Sequence, residues 1–122
     1  MEIGSLTEYG TLASVVVKHV RDAFVDERTI AAQWQRLNYT APPDLSRAID
    51  QHDRFIDILR SSGATVSELP PDPQTTLDSI YVRDAAIVSP AGTILCAMGK
   101  AERATEPSAQ ERAFSGFGLS IA

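Results

Sequence analysis

The chain has 122 residues, 43% of them apolar and 22% charged, which fits one globular domain and excludes disordered, collagen-like and low-complexity classes. The net charge of -5 disfavours nucleic acid as a partner, and a single cysteine excludes a disulfide framework and a cysteine-rich zinc site. No apolar run is long enough to span a bilayer, and residues 1–5 do not resemble a signal peptide. We therefore predict one cytoplasmic domain over residues 1–122 with no membrane or nucleic-acid partner.

The first half of the sequence predicts a strand, two helices and a second strand. Asp44 is the expected N-cap of the longer helix, because apolar residues recur after it at steps of three and four, and Gly63 suits the position after its end. Pro42 and Pro43 separate the two helices. The predicted elements are a strand over 12–18, a helix over 27–38, a helix over 44–63 and a strand over 64–69.

The second half predicts a hairpin, a helix and the beginning of another strand. Residues 77–98 form an almost continuous apolar run broken at 89–93, which indicates two strands covered on both faces. Pro107 suits the first turn of a helix that ends near Gly118, and residues 119–122 have the pattern of a strand. This order of elements indicates an α/β or α+β layered domain.

Charged residues within the apolar run are the first candidates for a site. Asp78, Arg83 and Asp84 adjoin a predicted buried strand, where unpaired charge is costly. On an ideal strand Asp78 and Asp84 would stand roughly 20 Å apart, so a bend is needed for them to converge. The alternative interpretation is that Asp78 caps a turn while Arg83 and Asp84 pair with helix charges.

Arg103 is the next candidate, because it lies in the loop over 99–106 that follows the second hairpin strand. Its planar guanidinium can hold a carboxylate through two parallel hydrogen bonds. The alternative is an arginine paired with Glu102 or Glu106.

The segment from Asp78 to Asp84, followed by Arg103 and Glu106 and preceded by residues 9–17, resembles the N-terminal half of the guanidino-group modifying enzymes, the pentein superfamily. The dimethylarginine dimethylaminohydrolases and arginine deiminases are the most similar members. The resemblance implies about half of a pseudo-fivefold α/β propeller built from strand-helix-strand-strand units. It also implies that Asp78, Asp84 and Arg103 bind substrate, with Asp84 gripping the guanidinium, Asp78 binding a substrate amine or orienting the loop, and Arg103 holding the carboxylate.

The catalytic cysteine and histidine that the resemblance implies belong to the C-terminal half of such enzymes. We predict that Cys96 is buried and inert within a strand and that His19 and His52 are structural, so no catalytic residue is assigned. No metal or cofactor is expected. The sequence also departs from the family, since dimethylarginine dimethylaminohydrolases have Glu at position 83 and arginine deiminases usually have Asn at position 78.

These observations predict the guanidinium-binding half of an arginine-derivative hydrolase. Its expected ligand is a small guanidine or arginine derivative, and its expected partner is a missing C-terminal half or further copies of itself. Two alternatives stay open: a non-catalytic oligomeric binding module derived from a pentein fragment, and part of an amidinotransferase. Whether the chain alone is an enzyme is also open, because no nucleophile and base pair is evident in it.

Overall fold

The computed structural model describes residues 6–122. The chain consists of helices and of short strands, and the strands form two two-stranded sheets, neither of which closes into a ring. Three 3₁₀ helices accompany them, at Leu77–Ile80, Val82–Ala85 and Ala101–Arg103. No helix within the described residues is long and apolar enough to cross a membrane. The other elements are β1 (Ser14–Val17), α1 (Val20–Phe24), α2 (Glu27–Gln33), α3 (Leu45–Ser61), β2 (Thr65–Glu68), β3 (Ala86–Ser89), β4 (Gly92–Leu95) and α4 (Glu106–Gly116).

The first sheet pairs β1 and β2 in parallel, with Ser14 opposite Thr65. The connection between parallel strands needs a crossover, and α3 provides most of it. The carboxylate of Asp44 accepts the Arg47 N–H at 3.0 Å and caps α3, while Gly63 adopts φ +92° just after the helix. Both predicted ends of this helix are therefore confirmed to within two residues.

The main hydrophobic core lies between α1, α2 and the start of the first 3₁₀ helix. Leu77 is fully buried there, in a cluster with Val20, Phe24, Ile30 and Leu37. Burial of a leucine side chain stabilises a fold by about 1.5–3 kcal/mol. The core thus fixes the residue that immediately precedes Asp78.

Helix α1 is not predicted by the sequence, because five residues are too few to show a periodic pattern. Two histidines cap its start: His19 Nδ1 accepts the Arg21 N–H at 3.0 Å, and His52 Nδ1 accepts the Val20 N–H at 3.4 Å. His19 Nε2 also contacts Asp53 Oδ1 at 2.7 Å. These contacts give both histidines a structural role.

The predicted strand beginning at residue 77 is wrong, because this segment forms two successive 3₁₀ helices and β3 starts only at Ala86. The Ser79 N–H bonds to the Thr76 carbonyl, and the Tyr81 N–H to the Asp78 carbonyl, each at 3.0 Å. These local bonds replace the ladder that a strand would need. The prediction that both faces of the hairpin are covered is also wrong, since Ile87 is 58% exposed.

The end of the chain adds to the second sheet, in which β3 and β4 are antiparallel. Ile121 forms a parallel bridge with Thr93, and the Ala122 N–H donates to the Thr93 carbonyl at 2.8 Å, which agrees with the strand predicted at 119–122. Gly92 has φ +131°, and a Cβ there would lie 3.1 Å from the Ala122 nitrogen. Only glycine fits this position without displacing the chain end.

Candidate functional site

Two successive 3₁₀ helices, in place of the predicted strand, carry Asp78 and Asp84. Asp78 lies in the first helix and Asp84 in the second, and Tyr81, with φ -85° and ψ 70°, joins them. A 3₁₀ helix rises only about 2.0 Å per residue, so the segment is much shorter than an extended strand. The Leu77 N–H donates to Gln33 Oε1 at 3.0 Å, which fixes the start of the segment against α2.

Asp78 is a buried carboxylate that is neutralised by a lysine. Asp78 is 3% exposed, and Lys100 Nζ lies 2.6 Å from Asp78 Oδ2. Lys100 Nζ also donates to the Leu37 carbonyl at 2.8 Å. Lys100, which lies in the loop before Arg103, therefore connects this loop to Asp78 in the first 3₁₀ helix and to Leu37 after α2.

Arg103 is buried among three oxygen-bearing partners. Its Nε and Nη2 donate to the two carboxylate oxygens of Glu106, each at 2.8 Å, and Nη1 donates to Asp84 Oδ2 at 2.8 Å. Nη2 also donates to the Tyr81 carbonyl at 2.9 Å. The hydrogen bonds with Glu106 raise the pKa of Arg103 above its ordinary value against the opposing effect of burial, and Asp84 raises it further.

Arg103 pairs with Glu106, as the alternative interpretation of the sequence expected, and it also contacts Asp84. Its contact with a substrate carboxylate stays a prediction. A guanidinium has five N–H groups. Four of those of Arg103 are engaged by Glu106, Asp84 and Tyr81, which leaves one, on Nη1.

A polar cleft of about 520 Å³ opens beside these residues. Burial raises the pKa of the Tyr39 phenol at its wall, and the Asp78 carboxylate raises it further. Arg103 and Asp78 both line the cleft, but Asp84 lines a neighbouring groove instead. The cleft is lined by Leu37, Asn38, Tyr39, Thr40, Ala41, Asp78, Tyr81, Met98, Gly99, Lys100 and Arg103.

The neighbouring groove is larger and mainly apolar, with a volume of about 920 Å³. The side chain of Asp84 is 48% exposed there, so its carboxylate faces solvent in part while its Oδ2 accepts a hydrogen bond from Arg103. Arg103 thus lines the polar cleft and contacts Asp84, which lines the larger groove. Of the three residues singled out from the sequence, Arg103 and Asp84 are in contact, and Arg103 and Asp78 share one cleft.

Lys100, Tyr39 and Glu106 join the site without having been chosen from the sequence as binding residues. The signal for Glu106 was its spacing of three residues from Arg103, which lets the two side chains meet. Lys100 and Asp78 are 22 residues apart, and no local pattern links them.

Cys96 differs from its prediction, because it follows β4 and is half-buried instead of lying fully buried inside a strand. It lines the same apolar groove as Asp84, whereas neither His19 nor His52 does. Within residues 6–122 there is no cluster of three or more His, Cys, Asp or Glu side chains placed to hold a metal ion. The described residues thus offer no histidine beside Cys96 in this groove to act as its base.

Comparison with solved structures finds the same fold in part of a larger enzyme, although no family model and no curated protein matches the chain. Dimethylarginine dimethylaminohydrolase in its adduct with 4-chloro-2-hydroxymethylpyridine aligns with a TM-score of 0.65 and 20% identity, over 91% of this chain and 40% of that chain. A histidine-to-glycine variant in adduct with S-methyl-L-thiocitrulline aligns with a TM-score of 0.62 and 20% identity, over 87% of this chain and 39% of that chain.

The Pseudomonas aeruginosa enzyme, a cysteine-to-serine variant complexed with citrulline, aligns with a TM-score of 0.68 and 19% identity, over 92% of this chain and 42% of that chain. The chain therefore spans about 40% of the length of these structures. The resemblance noted in the sequence is confirmed at the level of fold. The described chain has the fold of part of a dimethylarginine dimethylaminohydrolase.

Proposed function

We propose that this chain is the guanidinium-binding part of a hydrolase that acts on an arginine derivative, and that it forms about half of a five-unit α/β ring. The observation that carries the proposal is the contact of Asp84 with Arg103 beside the cleft that holds Asp78. Support also comes from the fold neighbours, two of which hold citrulline or S-methyl-L-thiocitrulline.

The network of ion pairs around Arg103 favours a cationic ligand. In this network three carboxylates (Asp78, Asp84 and Glu106) face two cations (Lys100 and Arg103), so the paired groups carry one negative charge in excess, while Arg83 lines the groove beside Asp84. A planar guanidinium carries one positive charge and donates pairs of parallel hydrogen bonds to a carboxylate. The half-exposed carboxylate of Asp84 is the one open to such a ligand.

In the proposed complex, Asp84 holds the plane of the guanidinium, Asp78 accepts from a substrate amine, and Arg103 contributes its remaining N–H to the substrate carboxylate. Fixing the guanidinium plane exposes its central carbon to a nucleophile in a set direction. The thiolate and its general acid and base would come from polypeptide outside residues 6–122. The thiolate would form a covalent adduct and release an amine, and water would then cleave the adduct.

Binding of a guanidine by this chain tests the proposal. Calorimetry with L-arginine and with dimethyl-L-arginine should detect binding that Asp84→Asn weakens about tenfold, because a charge-assisted hydrogen bond contributes about 1.5–3 kcal/mol. Asp57→Asn makes the same chemical change at an exposed position of α3 and should leave binding unchanged. Equal affinities of the Asp84 and Asp57 variants would reject the site.

A second candidate function, an oligomeric binding module without catalysis, is favoured by the apolar surface of the hairpin. Ile87, Val88 and Ile94 are exposed, and Leu12 is exposed at the edge of the groove between β1 and β3. Exposed apolar residues that adjoin open strand edges are typical of surfaces that another polypeptide covers. Sedimentation tests this candidate: it requires a dimer or larger assembly, and a monomer at high concentration would reject it.

A further inference from the structure

We propose that Lys100 determines whether the cleft accepts a ligand with an anionic group, by sharing that group with Arg103. This inference rests on the proposed binding of a guanidine and names the residue that selects an amino acid over its decarboxylated amine. It follows from the hydrogen-bonding groups that the two cations still offer.

Arg103 alone is poorly equipped to hold a carboxylate. The usual bidentate geometry needs two parallel N–H groups of one guanidinium. The side that combines Nε and Nη2 is taken by Glu106, and the Tyr81 carbonyl and Asp84 take two further N–H groups. Arg103 can therefore give an incoming anion one hydrogen bond only, unless it releases a buried partner.

Lys100 supplies what Arg103 lacks. Its ammonium group has three N–H groups, of which Asp78 Oδ2 and the Leu37 carbonyl engage two. Its side chain is 33% exposed and lines the same cleft as Arg103, from which it is separated by two residues. Each cation thus retains one N–H beside the same cleft, and in the proposed complex these two groups share one carboxylate.

The surrounding charges favour a second, more exposed cation beside an anion. Arg103 is paired with two carboxylates, Asp84 and Glu106, so an anion that meets this group alone meets a net negative charge. Lys100 pairs with a single carboxylate, Asp78, and is the more exposed of the two cations. An anion that lies close to the Lys100 ammonium is therefore held more favourably than one that contacts Arg103 alone.

L-Arginine and agmatine form the matched pair of ligands for the test, because they differ only in the carboxylate. NMR titration of Lys100→Met should show the ratio of L-arginine to agmatine affinity lowered about tenfold. Lys100→Arg keeps the charge and should retain the preference of the unaltered chain for L-arginine.

Loss of Lys100 also leaves the buried Asp78 carboxylate without its counter-ion, so a second comparison removes that effect. In the Asp78→Asn background no buried carboxylate is left unpaired, and adding Lys100→Met should again lower the ratio of L-arginine to agmatine affinity. Equal weakening of both ligands in both backgrounds would overturn the role of Lys100. Failure of the unaltered chain to bind either ligand would instead reject the proposed function, on which this role depends.

Discussion

Replacing Glu106 by glutamine tests how much the buried ion pair between Glu106 and Arg103 contributes to the stability of the fold. Glu106 is 2% exposed and accepts two hydrogen bonds from the guanidinium, each 2.8 Å long. Removing one partner of a buried ion pair typically costs about 3–5 kcal/mol. Glutamine keeps one acceptor oxygen and Asp84 still faces the guanidinium, so we expect Glu106→Gln to lower the free energy of unfolding by about 2–3 kcal/mol.

The same guanidinium provides a comparison with a more exposed carboxylate. Asp84→Asn removes a charge whose side chain is 48% exposed, and solvent screens such pairs, so we expect a loss of about 0–1 kcal/mol. Urea unfolding followed by circular dichroism measures both variants. With a slope of about 1–3 kcal/mol per molar urea, the midpoint of Glu106→Gln should fall by roughly 1 M and that of Asp84→Asn by much less.

Glu111→Gln is the matched control, because Glu111 is an exposed residue of α4, the helix that contains Glu106. It should unfold at nearly the same urea concentration as the unaltered chain. A loss for Asp84→Asn as large as that for Glu106→Gln would refute the reasoning that burial decides the strength of these two contacts.

Three further predictions concern stability away from Arg103. Burial lowers the pKa of His52 below its ordinary value, with a smaller contribution from His19, so the unfolded chain binds more protons as the pH falls through about 6.5. Stability should therefore decline from about pH 7.5 to about pH 5.5, and His52→Gln should flatten that decline in urea unfolding; an unchanged slope would contradict it. Asp44→Ala removes the cap of α3 and should cost about 1 kcal/mol in the same assay, whereas no loss would show that the cap contributes nothing. Gly92→Ala should displace the chain end and speed hydrogen exchange of the Ala122 amide, and unaltered exchange would argue against the close approach.

Long amphipathic elements could be predicted from the sequence, and short irregular ones could not. Helix α3 has 17 residues with a cap at Asp44, so its apolar period is visible over several turns. The segment from Leu77 to Ala85 is apolar enough for a strand, and nothing local distinguishes a strand from two 3₁₀ helices. The contact of Leu77 with Gln33 and the core decides between them, and it joins residues that are distant in the chain.

The candidate site divides in the same way. Asp78, Asp84 and Arg103 could be singled out because charge is costly near apolar segments and because their spacing resembles a known family. The pairing of Lys100 with Asp78 could not, because it arises only when the loop over 99–106 packs beside the first 3₁₀ helix. The number of N–H groups that Arg103 retains is likewise a property of the folded arrangement.

The two successive 3₁₀ helices constrain the number of residues between Asp78 and Asp84 more strictly than they constrain the types of those residues. A 3₁₀ helix has three residues per turn, so one inserted residue would rotate everything after it by about 120°. Asp84 would then leave Arg103, although every side chain of the segment was unchanged. Divergent sequences with this arrangement should therefore vary in residue type between Asp78 and Asp84 while keeping the number of residues between them.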